Sequence, residues 1–236
     1  MEIIGYSERG AMNALFYGIA LKEDKQAMEE FLKLADVKEH YNDYTLYLEF
    51  SLSEFGSPDL VIIAKDKDGN KTVFFVEAKA SCGKYYNLGD EYNRHNEYIK
   101  KGNKPDGHAS NLFFQLRQKY HFFNGKADRE LMQLSNEQRE RLTGSRGRSR
   151  QLGANAIVKT FAKELKDNAK CAKYIAIIPE QNNTPLMPDN RMGFSIHYVT
   201  WEQIIKNDNL KEYILKTIEF NQTELKSQIT NKPVLK

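Results

Sequence analysis

The sequence predicts an α/β fold, a mixed central sheet flanked by helices on both sides, with an insertion after the strand that ends near Ala80. Three patterns carry this expectation. Apolar residues recur at helical spacing near the N-terminus, β-rich runs fill the stretch from Leu46 to Ala80, and helical and then strand-like patterns return in the second half. The 236 residues suffice for one well-buried core with a sizeable insertion, so the chain reads as one domain over 1–236.

The opening is helical. Ser7 precedes a run in which Ala11, Met12, Leu15, Phe16 and Ile19 share one helical face, and Met28, Phe31, Leu32 and Leu34 supply the apolar side of a second helix over Lys25 to Ala35. Leu46, Leu48, Phe50 and Leu52 then alternate with Tyr47, Glu49 and Ser51, the period of a strand with one buried face. Two further β-rich runs, Asp59 to Ala64 and Thr72 to Ala80, flank KDKDGNK, whose Asp68-Gly69 step is a hairpin signal, so a three-strand meander is expected. Residues 83–110 are rich in Tyr, Asn, Gly and charge, with little apolar periodicity, and read as a partly structured insertion. Helical patterns follow over Asn111 to Phe123, 127–143 and Asn155 to Asn168, then KYIAIIP and FSIHYVT as late strands, with 229–236 as a flexible tail.

Composition narrows the function. Hydrophobic residues at 40% and charged residues at 28% are an ordinary globular balance, and a net charge of +3 neither announces nor excludes a polyanionic partner. The N-terminus lacks the basic-then-apolar order of an export signal, and no stretch approaches the ~18 apolar residues of a membrane span. No membrane partner is expected. Cys82 and Cys171 lie far apart, without metal-finger spacing, so the expected location is a reducing cytoplasm. The five histidines, His40, His95, His108, His121 and His197, show no metal-ligand spacing, and surface placement is expected for the two in the insertion, His95 and His108.

The chemistry-bearing residues cluster around the predicted hairpin. Asp59 and Glu77 are equidistant from Asp68, so folding about the turn brings the two carboxylates opposite each other on neighbouring strands. Glu77 and Lys79, two apart, leave the same face of their strand. Charged residues at strand ends are usually solvated, but these interrupt VFFVEAKA, a run apolar on both faces that reads as a central strand. Unpaired charges there would cost several kcal/mol, so they need one another or a metal. A carboxylate pair suits Mg²⁺, or Mn²⁺, and such an ion supplies Lewis acidity at a phosphoryl oxygen and makes water more acidic. Lys79 can orient the attacking water or stabilise developing negative charge.

SPDLVI at 57–62 followed by VEAKA at 76–80 resembles the signature of the PD-(D/E)XK nuclease superfamily, with Pro58, Asp59, Glu77 and Lys79 matching position by position. The resemblance implies a restriction-endonuclease-like fold and a metal-dependent nuclease, an endonuclease acting on DNA ahead of RNA. Asp59, Glu77 and Lys79 would be catalytic, and Glu8, in the opening helix, would join Asp59 and Glu77 as a metal ligand. Gln115, on the helix after the motif strand, would complete the site. The late YIAIIPE and VTWEQI segments look like the closing strands of the family. Taken alone, Glu8 would as readily complement its helix dipole. Lys119 shares a helix face with Gln115 and is the lesser candidate, and Glu49 is a fallback acid.

The densest basic stretch is the loop 139–153, in which Arg146, Arg148 and Arg150 are separated by small residues; it can neutralise phosphates and is the expected nucleic-acid contact. Tyr85, Tyr86, Tyr92 and Tyr98 alternate with basic residues and can stack on unpaired bases, or equally pack the insertion onto its own domain. Two other classes share these features: a module that holds nucleic acid without cutting it, and an interaction protein whose basic loop meets an acidic partner. A homodimer suits the cutting of both strands of a duplex, although no residue pattern marks an interface.

Overall fold

The computed structural model describes residues 7–80, 86–101, 110–124, 155–181 and 192–224. The basic loop with Arg146, Arg148 and Arg150, the 127–143 helical stretch, the 229–236 tail, and Tyr85, Cys82 and His108 lie outside these residues.

Helix α1, Glu8–Lys22, and α2, Lys25–Leu34, form the expected opening. Ser7 occupies the N-cap of α1 but makes no side-chain capping bond. Asp24, by contrast, caps α2 by accepting from Ala27 N–H and also accepts the Tyr213 hydroxyl at 2.6 Å. That hydroxyl and the Ala27 amide hold the Asp24 carboxyl below its ordinary range.

Strands β1, Asp43–Leu48, β2, Leu60–Lys65, and β3, Lys71–Ala78, are the expected antiparallel meander. The hairpin closes over 66–70, where the Asp66 carboxylate accepts the Asp68 and Asn70 amides and Gly69 takes φ +78°, a conformation that favours glycine. The alternation of Leu46 to Leu52 does not make one strand. The chain leaves β1 at Glu49, which has φ +54°, so Leu46 and Leu48 pack on one side of the sheet while Phe50 and Leu52 pack on the other. A short 3₁₀ turn, Ser53–Phe55, leads into β2.

Within the stretch read as an insertion, Leu88–Lys101 is a helix, α3. Leu88, Tyr92 and His95 recur at i, i+4 and i+7 and are buried, which gives α3 its inward side despite few aliphatic residues. Helices α4, Leu112–Asn124, and α5, Ala156–Lys166, follow, the latter capped by Asn155. Strand β4, Ala169–Ile178, lies parallel to β3, and β5, Ile196–Thr200, parallel to β4. The described residues thus form a mixed five-stranded sheet in the order β1-β2-β3-β4-β5. The segment resembling a last strand, VTWEQI, is strand only to Thr200. Thr200 caps α6, Trp201–Lys206, in a reciprocal capping box with Gln203, and the long α7, Asp208–Glu224, ends the described chain.

Two cores sandwich the sheet. On one face Leu60, Ile62, Phe74, Val76 and Ile177 pack under α1, α2, α6 and α7; on the other Val61, Ile63, Val73, Phe75 and Ala176 pack under α3, α4 and α5. All eight residues of β3 are buried, as a central strand covered on both faces requires. Among the described residues, no helix is long and apolar enough to cross a membrane.

Candidate functional site

Register places the first two site residues. The β2 and β3 partners run from Lys65 opposite Lys71 to Leu60 opposite Val76, so the next step outward sets Asp59 against Glu77. Asp59 has the parity of Val61 and Ile63, and Glu77 and Lys79 that of Val73 and Phe75, so all three leave the sheet on the face covered by α3, α4 and α5. Asp59 Oδ2 accepts the Ala78 amide at 2.8 Å, which ties the entry of β2 to the end of β3.

Glu77 is fully buried, at 0% exposure. Its Oε1 lies 2.9 Å from the Nζ of Lys119 on α4, itself 1% exposed, and neither carboxylate oxygen has a partner in hydrogen-bonding geometry. Burial pushes the Glu77 carboxyl up to about 7; Lys119 pulls it back, and the neighbouring Asp59 carboxylate adds to the rise. A folded-state value above the unfolded 4.5 means that the native protein holds this proton more tightly. In metal-free protein, stability should therefore fall as pH rises from 4.5 to about 7 and level off above, and Glu77→Gln should flatten that part of the profile. Urea denaturation in chelator across this range checks it; an equal slope in both proteins would assign the dependence elsewhere.

Lys79 sits just past β3, half-buried, with its amide donating to Ile177 O at 2.8 Å and its carbonyl accepting the Trp201 indole N–H at 2.8 Å. The backbone is held from β4 and from the start of α6. Its Nζ donates to Gln115 Oε1 at 2.6 Å. Gln115 and Lys119, one turn apart on α4, thus each engage a residue of the Glu-X-Lys strand. Sequence reasoning ranked Lys119 below Gln115, yet it is Lys119 that meets the buried acid. The i, i+4 spacing was the available signal, and the burial of Glu77, which demands a counter-charge, could have ranked the pair.

The helix α3 sets the position of α4. Glu91 Oε2 accepts the Leu112 amide, and Asn111 both caps α4 by accepting Phe114 N–H and donates its side-chain amide to Glu91 O at 2.8 Å. The segment read as an insertion therefore anchors the helix that carries Gln115 and Lys119. Asn111→Ala should cost about 1–2 kcal/mol, the upper range for a lost cap, readable as a lower urea midpoint at unchanged slope. An unchanged midpoint would contradict the anchoring role.

The other expected acids lie on α1 and beside β2. Glu8 opens α1, whose buried side packs on the opposite face of the sheet, and Glu49, whose amide donates to Asp59 O at 3.1 Å, pairs through its side chain with Arg9 at 3.0 Å. Among the described residues, no three or more His, Cys, Asp or Glu side chains are gathered to hold a metal ion, so Asp59 and Glu77 are an acid pair without a third acid. His95, expected at the surface, is buried against Tyr92 and Phe113 and pushed down to about 4, chiefly by burial. His121 is likewise pushed down to about 4 by burial and by Arg117, whose Nε donates to His121 Nε2 at 3.1 Å. His95 was not singled out as a core group, because α3 lacks the aliphatic stripe that announces a buried face.

What the arrangement offers is a carboxylate pair at the open end of a central hairpin, one member buried and short of hydrogen bonds, with an ammonium group two residues along the strand. No family model, curated protein or solved structure gives a significant match to this chain.

Proposed function

We propose that this chain is a metal-dependent nuclease with a restriction-endonuclease-like, PD-(D/E)XK core that hydrolyses phosphodiester bonds of DNA. The observation that carries the reading is Glu77: a carboxylate with 0% exposure on a central strand, register-opposed to Asp59 and followed by Lys79 on the same face. Charge in so dry a place is costly and is kept where it has work to do.

The residues fit a hard divalent cation such as Mg²⁺ or Mn²⁺. Glu77 Oε2 is buried without a hydrogen-bond partner, and Asp59 commits Oδ2 to the Ala78 amide, which leaves Oδ1 as the oxygen it would offer an ion. Asp59 and Glu77 would hold the ion, leaving the remaining positions to water and substrate, as Mg²⁺ prefers. When bound, it supplies Lewis acidity toward a phosphoryl oxygen and toward water. Lys79 faces the same space, oriented by Gln115, and there holds the attacking water or the negative charge that grows on the phosphorus oxygens. Arg146, Arg148 and Arg150 would neutralise flanking phosphates, giving binding that weakens steeply with salt.

The test is incubation of the purified chain with circular and linear, single- and double-stranded DNA, and with RNA of matched sequence, in Mg²⁺, Mn²⁺ or chelator. Metal-dependent cleavage of DNA is expected. Cleavage of RNA alone would redirect the substrate, and salt-sensitive binding without cleavage would favour a non-cutting module on the same fold.

A further inference from the structure

We infer that Lys119 takes the place of a second cation, so that the carboxylate pair holds one divalent ion per chain rather than two. This rests on the metal-dependent reading above and concerns its stoichiometry.

Sites with two divalent ions set them about 3.5–4 Å apart and need carboxylate oxygens for both. Here the oxygens are already divided. Glu77 Oε1 is taken by Lys119 Nζ at 2.9 Å, Asp59 Oδ2 by the Ala78 amide at 2.8 Å, and Glu77 Oε2 and Asp59 Oδ1 remain, one oxygen from each acid. The ammonium group is enclosed on its other side. The chain at Gly56 passes so close that a Cβ there would lie 3.1 Å from Lys119 Nζ and 3.1 Å from Gln118 Oε1, and its φ of +79° favours glycine. Lys119 is 1% exposed and has no room to swing into solvent while α4 and this loop stay in place. Among the described residues, no third acid adds to the pair.

Charge points the same way. Asp59 and Glu77 are balanced formally by Lys79 and Lys119, so the first divalent ion already brings the cluster to +2. A second, in a site this dry, would face strong repulsion from the first and from the ammonium group beside it.

The experiment is a Mn²⁺ titration of the full chain, followed by the spectroscopic signal of free Mn²⁺, for the unaltered protein, Asp59→Asn and Lys119→Ala, with folding checked by circular dichroism and cleavage assayed in parallel. One Mn²⁺ per chain, weakened at least tenfold by Asp59→Asn, is expected, and a folded Lys119→Ala should take up a second. Two Asp59-dependent ions in the unaltered protein would overturn the inference while leaving the nuclease reading in place. So would a folded Lys119→Ala that still binds one. If cleavage proceeds and no Asp59-dependent Mn²⁺ is bound, the stoichiometry fails with its site, and absence of both binding and cleavage removes the nuclease reading itself. The unaltered protein alone decides the first point, even if Lys119→Ala does not fold.

Discussion

Lys79→Ala should lower the rate of DNA cleavage by about 10²–10³-fold while leaving the fold intact, the loss typical of removing one group aimed at developing charge. The structural cost is small because the Lys79 side chain is half-buried and its described hydrogen bond is to Gln115, so truncation should cost about 1 kcal/mol. The strand is held without it, through the Lys79 amide to Ile177 and the Lys79 carbonyl to Trp201. Rates under saturating Mg²⁺, with denaturation midpoints measured alongside, separate the two effects. Undiminished cleavage would remove Lys79 from the chemistry, and collapse of the fold would make its role structural.

The second large effect is on stability. Glu77→Ala leaves Lys119 as a buried ammonium without its counter-charge and should destabilise the chain by about 3–5 kcal/mol, whereas Lys119→Ala removes the group that pulls the Glu77 carboxyl down, so Glu77 takes up a proton near neutral pH and the loss there should be smaller. The double replacement Glu77→Leu with Lys119→Met removes both charges and fills similar volume, so it should cost far less than the sum of the single changes. Urea denaturation of the four proteins closes the cycle. Additive losses would mean that the two groups are independently solvated, contrary to their exposures of 0% and 1%. This coupling also matters for activity assays: Glu77→Ala can fail by unfolding, whereas Glu77→Gln keeps the shape of the side chain and a polar partner for Lys119.

Much of the sheet and half of the site were legible in the sequence. The Asp68-Gly69 turn and the equal spacing of Asp59 and Glu77 from it fix a hairpin register, and parity then puts Asp59, Glu77 and Lys79 on one face. The apolar density of VFFVEAKA announced a strand covered on both sides, which is how Glu77 comes to be buried. What escaped depends on contacts distant along the chain. Lys119 is an ordinary exposed-looking lysine until α4 is laid over β3, and only then does it meet Glu77. Helix α3 buries Leu88, Tyr92 and His95 rather than an aliphatic stripe, so its period is hidden by residue types that usually stand at surfaces. At Glu49 the alternation of leucines continues in sequence while the backbone turns, because a left-handed residue switches the chain from one face of the sheet to the other. The parallel placement of β4 beside β3 follows from the crossover through α3, α4 and α5, which local periodicity does not encode.

The most direct test of the Asp59, Glu77 and Lys79 site compares supercoiled DNA incubated with the unaltered protein and with folded Glu77→Gln, each in Mg²⁺ and in chelator. Cleavage by the unaltered protein in Mg²⁺ alone, lost in Glu77→Gln, is the predicted result; equal cleavage by the two proteins, or cleavage that persists in chelator, would contradict a metal-dependent site built on Glu77.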